Sequence, residues 1–151
     1  MPYLASIGYE LATPATLIRA LKKARVDLLV DVRAVPNSRR PGFSKKALTA
    51  ACAEAGIEYL HLRGLGTPAD GRAAARKGRH EEMHRIYRTQ LKTLEARDDL
   101  EILDEIVRSK RRACLLCLEA SPEHCHRSLI IEEVRKRGRI TVEHLDPAVG
   151  R

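Results

Sequence analysis

A chain of 151 residues with 28 Lys+Arg against 20 Asp+Glu carries a formal net charge of +8, and its length is that of one domain with a core of useful size. Hydrophobic residues at 44% and charged residues at 32% exclude an intrinsically disordered chain, and no apolar run approaches the roughly 18 residues of a membrane-spanning helix. Aromatics at 3% with no Trp exclude a base-stacking platform for single strands, while the positive charge leaves phosphate contacts open.

Residues 1–151 read as a single domain. The N-terminus carries no positive charge before its first strand-like segment and is not expected to be a signal peptide, so a cytoplasmic location is expected. The four cysteines are then expected as thiols rather than as a disulfide frame. Tyr3 to Ile7 predicts a first strand, ending at Gly8-Tyr9-Glu10. Thr13 and Pro14 read as the cap and first position of a helix to about Ala24. Asp27 to Arg33 is almost continuously apolar and β-branched, the pattern of a central parallel strand covered on both faces. Ala34 to Phe43 is rich in breakers. Ser44 then caps a helix that Gly56 ends, and Ile57 to His61 predicts a third strand.

From Leu62 to about Gly78 the chain has no usable periodicity and reads as a long loop, a candidate lid. Helical patterning covers His80 to Leu94 and Leu100 to Ser109, the second capped by Asp98 or Asp99. Arg112 to Leu118 predicts a fourth strand, Ser121-Pro122 the cap and start of a fifth helix, and Ile140 to Leu145 a fifth strand. Strand and helix in regular succession predict an α/β fold, a three-layer α/β/α Rossmann-like open sheet, mainly parallel, of about five strands.

In such a sheet ligands bind outside the carboxyl ends of the strands. Gly8 and Tyr9 follow strand one, Asp31 and Arg33 end strand two, and His61 ends strand three. Glu119 follows strand four and His144 lies near the end of strand five. Asp31 and Arg33, two positions apart, point to the same face; they form either a structural ion pair or an anion contact beside a carboxylate. Ser38 and Arg39 lie in a following loop with no acidic residue between Ala34 and Lys46, suited to phosphate or carboxylate capture. Phe43 and Tyr9 sit where a ring or base could stack, although Phe43 could equally anchor its loop in the core. The basic start of the His80 helix, with His84, reads best as a solvated face.

The most specific stretch is Cys117-Leu-Glu-Ala-Ser-Pro-Glu-His-Cys-His-Arg127. With Ser121 as cap, His126 and Arg127 fall early in a helix, near free backbone N–H groups that favour anions. By the same helical count Cys125 falls on the opposite side, where local packing or a cap contact is expected. A cysteine-dependent phosphatase loop needs Arg several positions after Cys, and neither Cys117 nor Cys125 has one at that spacing. Cys114 and Cys117, inside one strand, point to opposite faces, which argues against a zinc knuckle. A zinc site of Cys117, Cys125, His126 and His144 is conceivable, but the expected direction of Cys125 weakens it. No metal and no other cofactor is expected, and neither a P-loop nor a dinucleotide fingerprint follows the first strand.

Ile7-Gly-Tyr-Glu10, Leu29-Val-Asp-Val-Arg33 with Pro36, Ser38-Arg39 and Gly42-Phe-Ser-Lys45, Tyr59-Leu-His61 with Leu65-Gly66, Cys117-Leu-Glu119, Cys125-His-Arg127 and His144-Leu145 together resemble domain-of-unknown-function family 488, a family of small prokaryotic proteins. The resemblance covers nearly the whole chain and implies a Rossmann-like fold with a pocket built from these residues. The region Thr67 to His80, variable in related sequences, is Arg- and Ala-rich here. The resulting expectation is a small anionic ligand, nucleotide- or phosphate-like. Arg33, Arg39 and Arg127 would hold it, with Asp31, Glu119 and His126 for acid/base work in a hydrolase or lyase without a covalent nucleophile. An alternative is a protein that binds or acts on DNA or RNA; a weaker one is a metal-dependent enzyme.

Overall fold

The computed structural model describes residues 1–147. Five strands, β1 (Tyr3–Gly8), β2 (Leu28–Asp31), β3 (Glu58–His61), β4 (Ala113–Cys117) and β5 (Thr141–Leu145), form an all-parallel sheet in the order β3-β2-β4-β1-β5. Six helices complete the layers: α1 (Pro14–Lys23), α2 (Lys45–Glu54), α3 (Ala69–Arg76), α4 (His80–Gln90), α5 (Leu94–Arg108) and α6 (Arg127–Lys136). The α/β class and open Rossmann-like sheet expected from the sequence are what is found. Among the described residues no helix is long and apolar enough to cross a membrane.

The alternation of side chains along each strand divides the core in two. Leu28 and Val30 of β2, with Ala113, Leu115 and Cys117 of β4, pack against residues of α3, α4, α5 and α6. Leu29 of β2, with Cys114 and Leu116 of β4, packs against α1, α2, Tyr9 and Phe43. Cys114 and Cys117 therefore do point to opposite faces. Both neighbours of β4 lead into helices of the α1/α2 layer, whereas β4 itself leads to α6 on the other side. Chains diverging to opposite faces leave a crevice at the carboxyl end of β4.

Three local expectations are corrected. The stretch read as a loop from Leu62 contains a 3-10 turn at Arg63–Leu65 and the helix α3. Ala-Ala-Ala supplies high helix propensity without the bulky residues that make periodicity visible. The α5 helix begins at Leu94, because the Thr93 hydroxyl accepts from the Ala96 N–H at 3.2 Å, while Asp99 instead accepts from the Gly64 N–H at 2.7 Å. Finally, Ser121-Pro122 opens only a 3-10 turn, Pro122–His124, followed by extended Cys125 with φ −126° and ψ 153°; α6 proper starts at Arg127.

Candidate functional site

A cavity of about 250 Å³ occupies the crevice. Tyr9 enters it after β1, Arg33, Val35 and Asn37 after β2, and Cys117 and Glu119 at the end of β4; His126 also reaches it. Its remaining wall is Thr67, Arg72, Ala75 and Arg76 of the α3 region and Met83 of α4. Glycine makes the crevice close. A Cβ on Gly8 would sit 1.8 Å from the Glu119 carbonyl oxygen, and one on Gly66 would sit 2.3 Å from the Ala34 backbone. The chain after β4 thus lies against β1, where the Tyr9 and Glu10 N–H groups donate to the Cys117 and Leu118 carbonyls at 3.1 and 2.8 Å.

The residues singled out from the sequence fall into two groups. On the α1/α2 side, the Asp31 carboxylate accepts from Arg33 Nε at 2.9 Å, Arg33 Nη2 at 2.7 Å, the Arg33 backbone N–H at 3.1 Å and the Tyr59 hydroxyl. Arg33 Nη1 also donates to the Phe43 carbonyl at 2.7 Å and to the Tyr9 hydroxyl at 3.3 Å. His61 Nε2 donates to the Arg33 carbonyl at 2.7 Å. Phe43 is buried, its ring stacked on Tyr9 at 4.6 Å with Arg40 over its outer face. Arg33 borders the cavity, but most of its N–H groups are already engaged within the protein.

Several of these residues stand outside the cavity. Ser38 accepts from the Arg40 N–H at 3.1 Å in a turn, and Arg39 is exposed. Arg127, the largest fully buried side chain, donates to Ser6 Oγ at 3.2 Å and to the Glu119 carbonyl at 2.5 Å. Since Arg only donates, the Ser6 hydroxyl is free to donate to His144 Nδ1 at 2.6 Å. His144 opens onto a separate depression shared with Ala20, Lys23 and Asp146. Among the described residues Arg127 Nε has no hydrogen-bond partner and no carboxylate pairs with Arg127. Gly8 serves as backbone clearance for Glu119.

On the α3–α6 side, Cys117, Cys125 and His126 are all buried and converge. His126 Nδ1 lies 3.7 Å from Cys117 Sγ and 3.6 Å from Cys125 Sγ, while Nε2 donates to the Val32 carbonyl at 2.7 Å. Tyr87, itself donating to the Leu65 carbonyl at 2.6 Å, meets the His126 ring edge-on at 4.9 Å. The inward position of Cys125 overturns the helical count, which had crossed residues that are not α-helical. Burial opposes ionisation of Cys125, but the Cys117 thiol and the charges of His126 and Arg127 outweigh it and hold Cys125 well below its ordinary value. Hydrogen bonding to Cys125, together with burial, pushes Cys117 well above its ordinary value. Burial disfavours the imidazolium of His126, yet the Cys125 charge raises its pKa. Burial and the Cys125 charge push Glu119 up to about 7.

Arg72 escaped the sequence reading, and Arg76 entered it only as part of the basic start of the His80 helix, read as a solvated face. Their i,i+4 spacing places both on one face of α3, and that spacing was visible once a helix was allowed there. Neither forms an ion pair among the described residues, and Arg72 Nη1 donates to the Thr67 carbonyl at 2.8 Å. His80 and His84 are half-buried rather than solvated, with the His80 ring stacked on His124 at 4.1 Å.

Searches of curated proteins and of solved structures return no match to this chain. A family model described as Domain of unknown function DUF488 matches residues 13–134. That span includes Asp31, Arg33, Arg72, Arg76, Cys117, Glu119, Cys125 and His126, and because it covers most of the sequence the chain belongs to the DUF488 family.

Proposed function

We propose that the cavity at the carboxyl end of β4 binds a small anionic ligand, nucleotide- or phosphate-like, with Glu119 and His126 placed for acid/base work on it. The observation that carries this reading is the convergence of two arginines without ion-pair partners among the described residues, Arg72 and Arg76, with Glu119 and His126 around one cavity. The charge of Arg33 is largely matched by Asp31 at 2.7 Å, so the attraction for an anion rests on α3 rather than on the loop after β2. At about 250 Å³ the cavity is at the small end of ligand pockets, sized for the head of a phosphorylated molecule with the rest in the mouth. The four unpaired thiols support a reducing, cytoplasmic setting.

The test is titration of wild type with inorganic phosphate, nucleoside monophosphates and phosphosugars, alongside Arg76→Ala and Arg39→Ala. A charge-assisted contact is worth about 1.5–3 kcal/mol, so Arg76→Ala should weaken binding at least about tenfold. Arg39→Ala, altering an exposed side chain outside the cavity, should leave binding unchanged. Equal affinity in wild type and Arg76→Ala removes the anion site.

A second reading has its own support in the exposed basic run Arg76, Lys77 and Arg79 beside the mouth. In that case the chain binds DNA or RNA and the cavity receives a single extruded base. Affinity for an oligonucleotide would then fall steeply with salt, and no binding at low salt eliminates it.

A further inference from the structure

Below the cavity lies a cluster whose two thiols the anion reading leaves unused, and within it His126 would serve as a ligand rather than as an acid or base. Cys117 Sγ, Cys125 Sγ and His126 Nδ1 are buried, with their donor atoms within 4.8 Å of one another. We propose that these three residues bind a divalent transition-metal ion, zinc by the nature of the donors, with a fourth coordination position open to the cavity.

Two thiolates and an imidazole are a borderline-soft donor set that suits zinc and disfavours magnesium or calcium. The spacing agrees as well. With Zn–S near 2.3 Å and Zn–N near 2.0–2.1 Å, tetrahedral geometry puts sulfur and nitrogen about 3.6 Å apart. His126 Nδ1 stands 3.7 Å from Cys117 Sγ and 3.6 Å from Cys125 Sγ. The remaining ring nitrogen is already committed, since Nε2–H donates to the Val32 carbonyl at 2.7 Å. That bond leaves Nδ1 facing the sulfurs, and a metal-bound histidine characteristically donates its other N–H to a backbone carbonyl in this way. The orientation is built into the sheet, because Val32 directly follows β2.

The same geometry distinguishes an open site from a closed one. Cys117 and His126 border the cavity whereas Cys125 does not, so an ion among the three has its free side toward the cavity, which is also its entry path. Three protein ligands with one open position is the arrangement of catalytic zinc, whereas structural zinc takes four. The Glu119 carboxylate, 3.5 Å from Cys117 Sγ but outside the triad, is placed to accept a hydrogen bond from a water on the ion. The other two buried thiols, Cys52 and Cys114, belong to the core on the opposite side of the sheet and serve as internal controls.

The experiment uses the full chain expressed without a metal-affinity tag, exposed to zinc, dialysed and analysed for metal, with no substrate present. About one zinc per chain is expected. Replacement by cobalt(II) should give thiolate-to-cobalt charge-transfer absorption and the visible bands of a four-coordinate ion. Cys125→Ser and His126→Gln should lose the metal, while Cys52→Ser and Cys114→Ser keep it. Because variants in a buried cluster can misfold, the wild-type cobalt spectrum decides independently of them. Substoichiometric zinc in wild type, a cobalt spectrum without thiolate absorption, equal loss in Cys114→Ser, or a Cys117–Cys125 disulfide in zinc-exposed protein would each overturn the proposal. None of these readouts depends on an anionic ligand, so failure here leaves the anion site to its own test.

Discussion

The two faces of the sheet treat their polar residues in opposite ways at the same edge. On the α1/α2 face, Asp31 is fully buried and accepts from Arg33 and Tyr59, while Arg33 spends its other donors on Phe43 and Tyr9. On the α3–α6 face, two thiols and an imidazole meet at sulfur contacts of 3.6 and 3.7 Å, and Arg127 Nε has no partner among the described residues. A closed network of donors and acceptors fixes a loop and has little capacity left for a ligand. A cluster of groups with spare valence beside a cavity has that capacity. Under the proposed function the first face serves structure and the second serves chemistry.

The largest effect expected from this contrast comes from Asp31→Ala. It strips a buried arginine of its carboxylate and should cost about 3–5 kcal/mol in denaturant unfolding; a loss below about 1 kcal/mol would show that the network is not holding the fold. Gly8→Ala should come next, at about 1–3 kcal/mol, because its Cβ meets the Glu119 carbonyl. Unlike Asp31→Ala, it should also weaken ligand binding by displacing Glu119, and unaltered binding in a folded Gly8→Ala protein would separate that carbonyl from the site. Arg76→Ala should do the reverse of Asp31→Ala. Its side chain is exposed with no ion pair among the described residues, so stability should stay within about 0.5 kcal/mol while anion affinity falls.

The smallest expected effect is on the pH dependence of stability. Burial, then Arg88 and His80, lowers the pKa of His84; burial, then Arg127 and Arg135, lowers that of His144. In the unfolded chain both take a proton near pH 6.5, whereas the folded chain resists until lower pH. At these two sites the unfolded state therefore binds more protons as pH falls, so the stability they contribute above about pH 6.5 is lost below it. His84→Gln should flatten that slope, and an unchanged slope would remove His84 as a contributor.

The centre of the sheet was legible in the sequence because buried parallel strands are nearly continuous apolar runs, as β2 and β4 are; all five strands lie where the sequence predicted them, within a residue or two. The cavity edge was legible for the same reason, since strand ends locate Asp31, Cys117 and Glu119. What escaped lies where pattern does not report on geometry. The α3 helix is built on alanine, so Arg72 was hidden in what read as a loop and Arg76 passed for part of the solvated start of the next helix. Between Ser121 and His126 the chain is a 3-10 turn followed by an extended residue, and a helical count there sends Cys125 outward when it faces inward. Arg127 was legible as a cation near the edge, but not as one buried beneath it and bonded to Ser6 and the Glu119 carbonyl.

Backbone amide chemical shifts followed during titration with a nucleoside monophosphate test the division between the two faces most directly. The account predicts saturable shifts concentrated at residues 72–76 and 117–126. No saturable shifts, or shifts confined to the loop around Ser38 and Arg39, would contradict it.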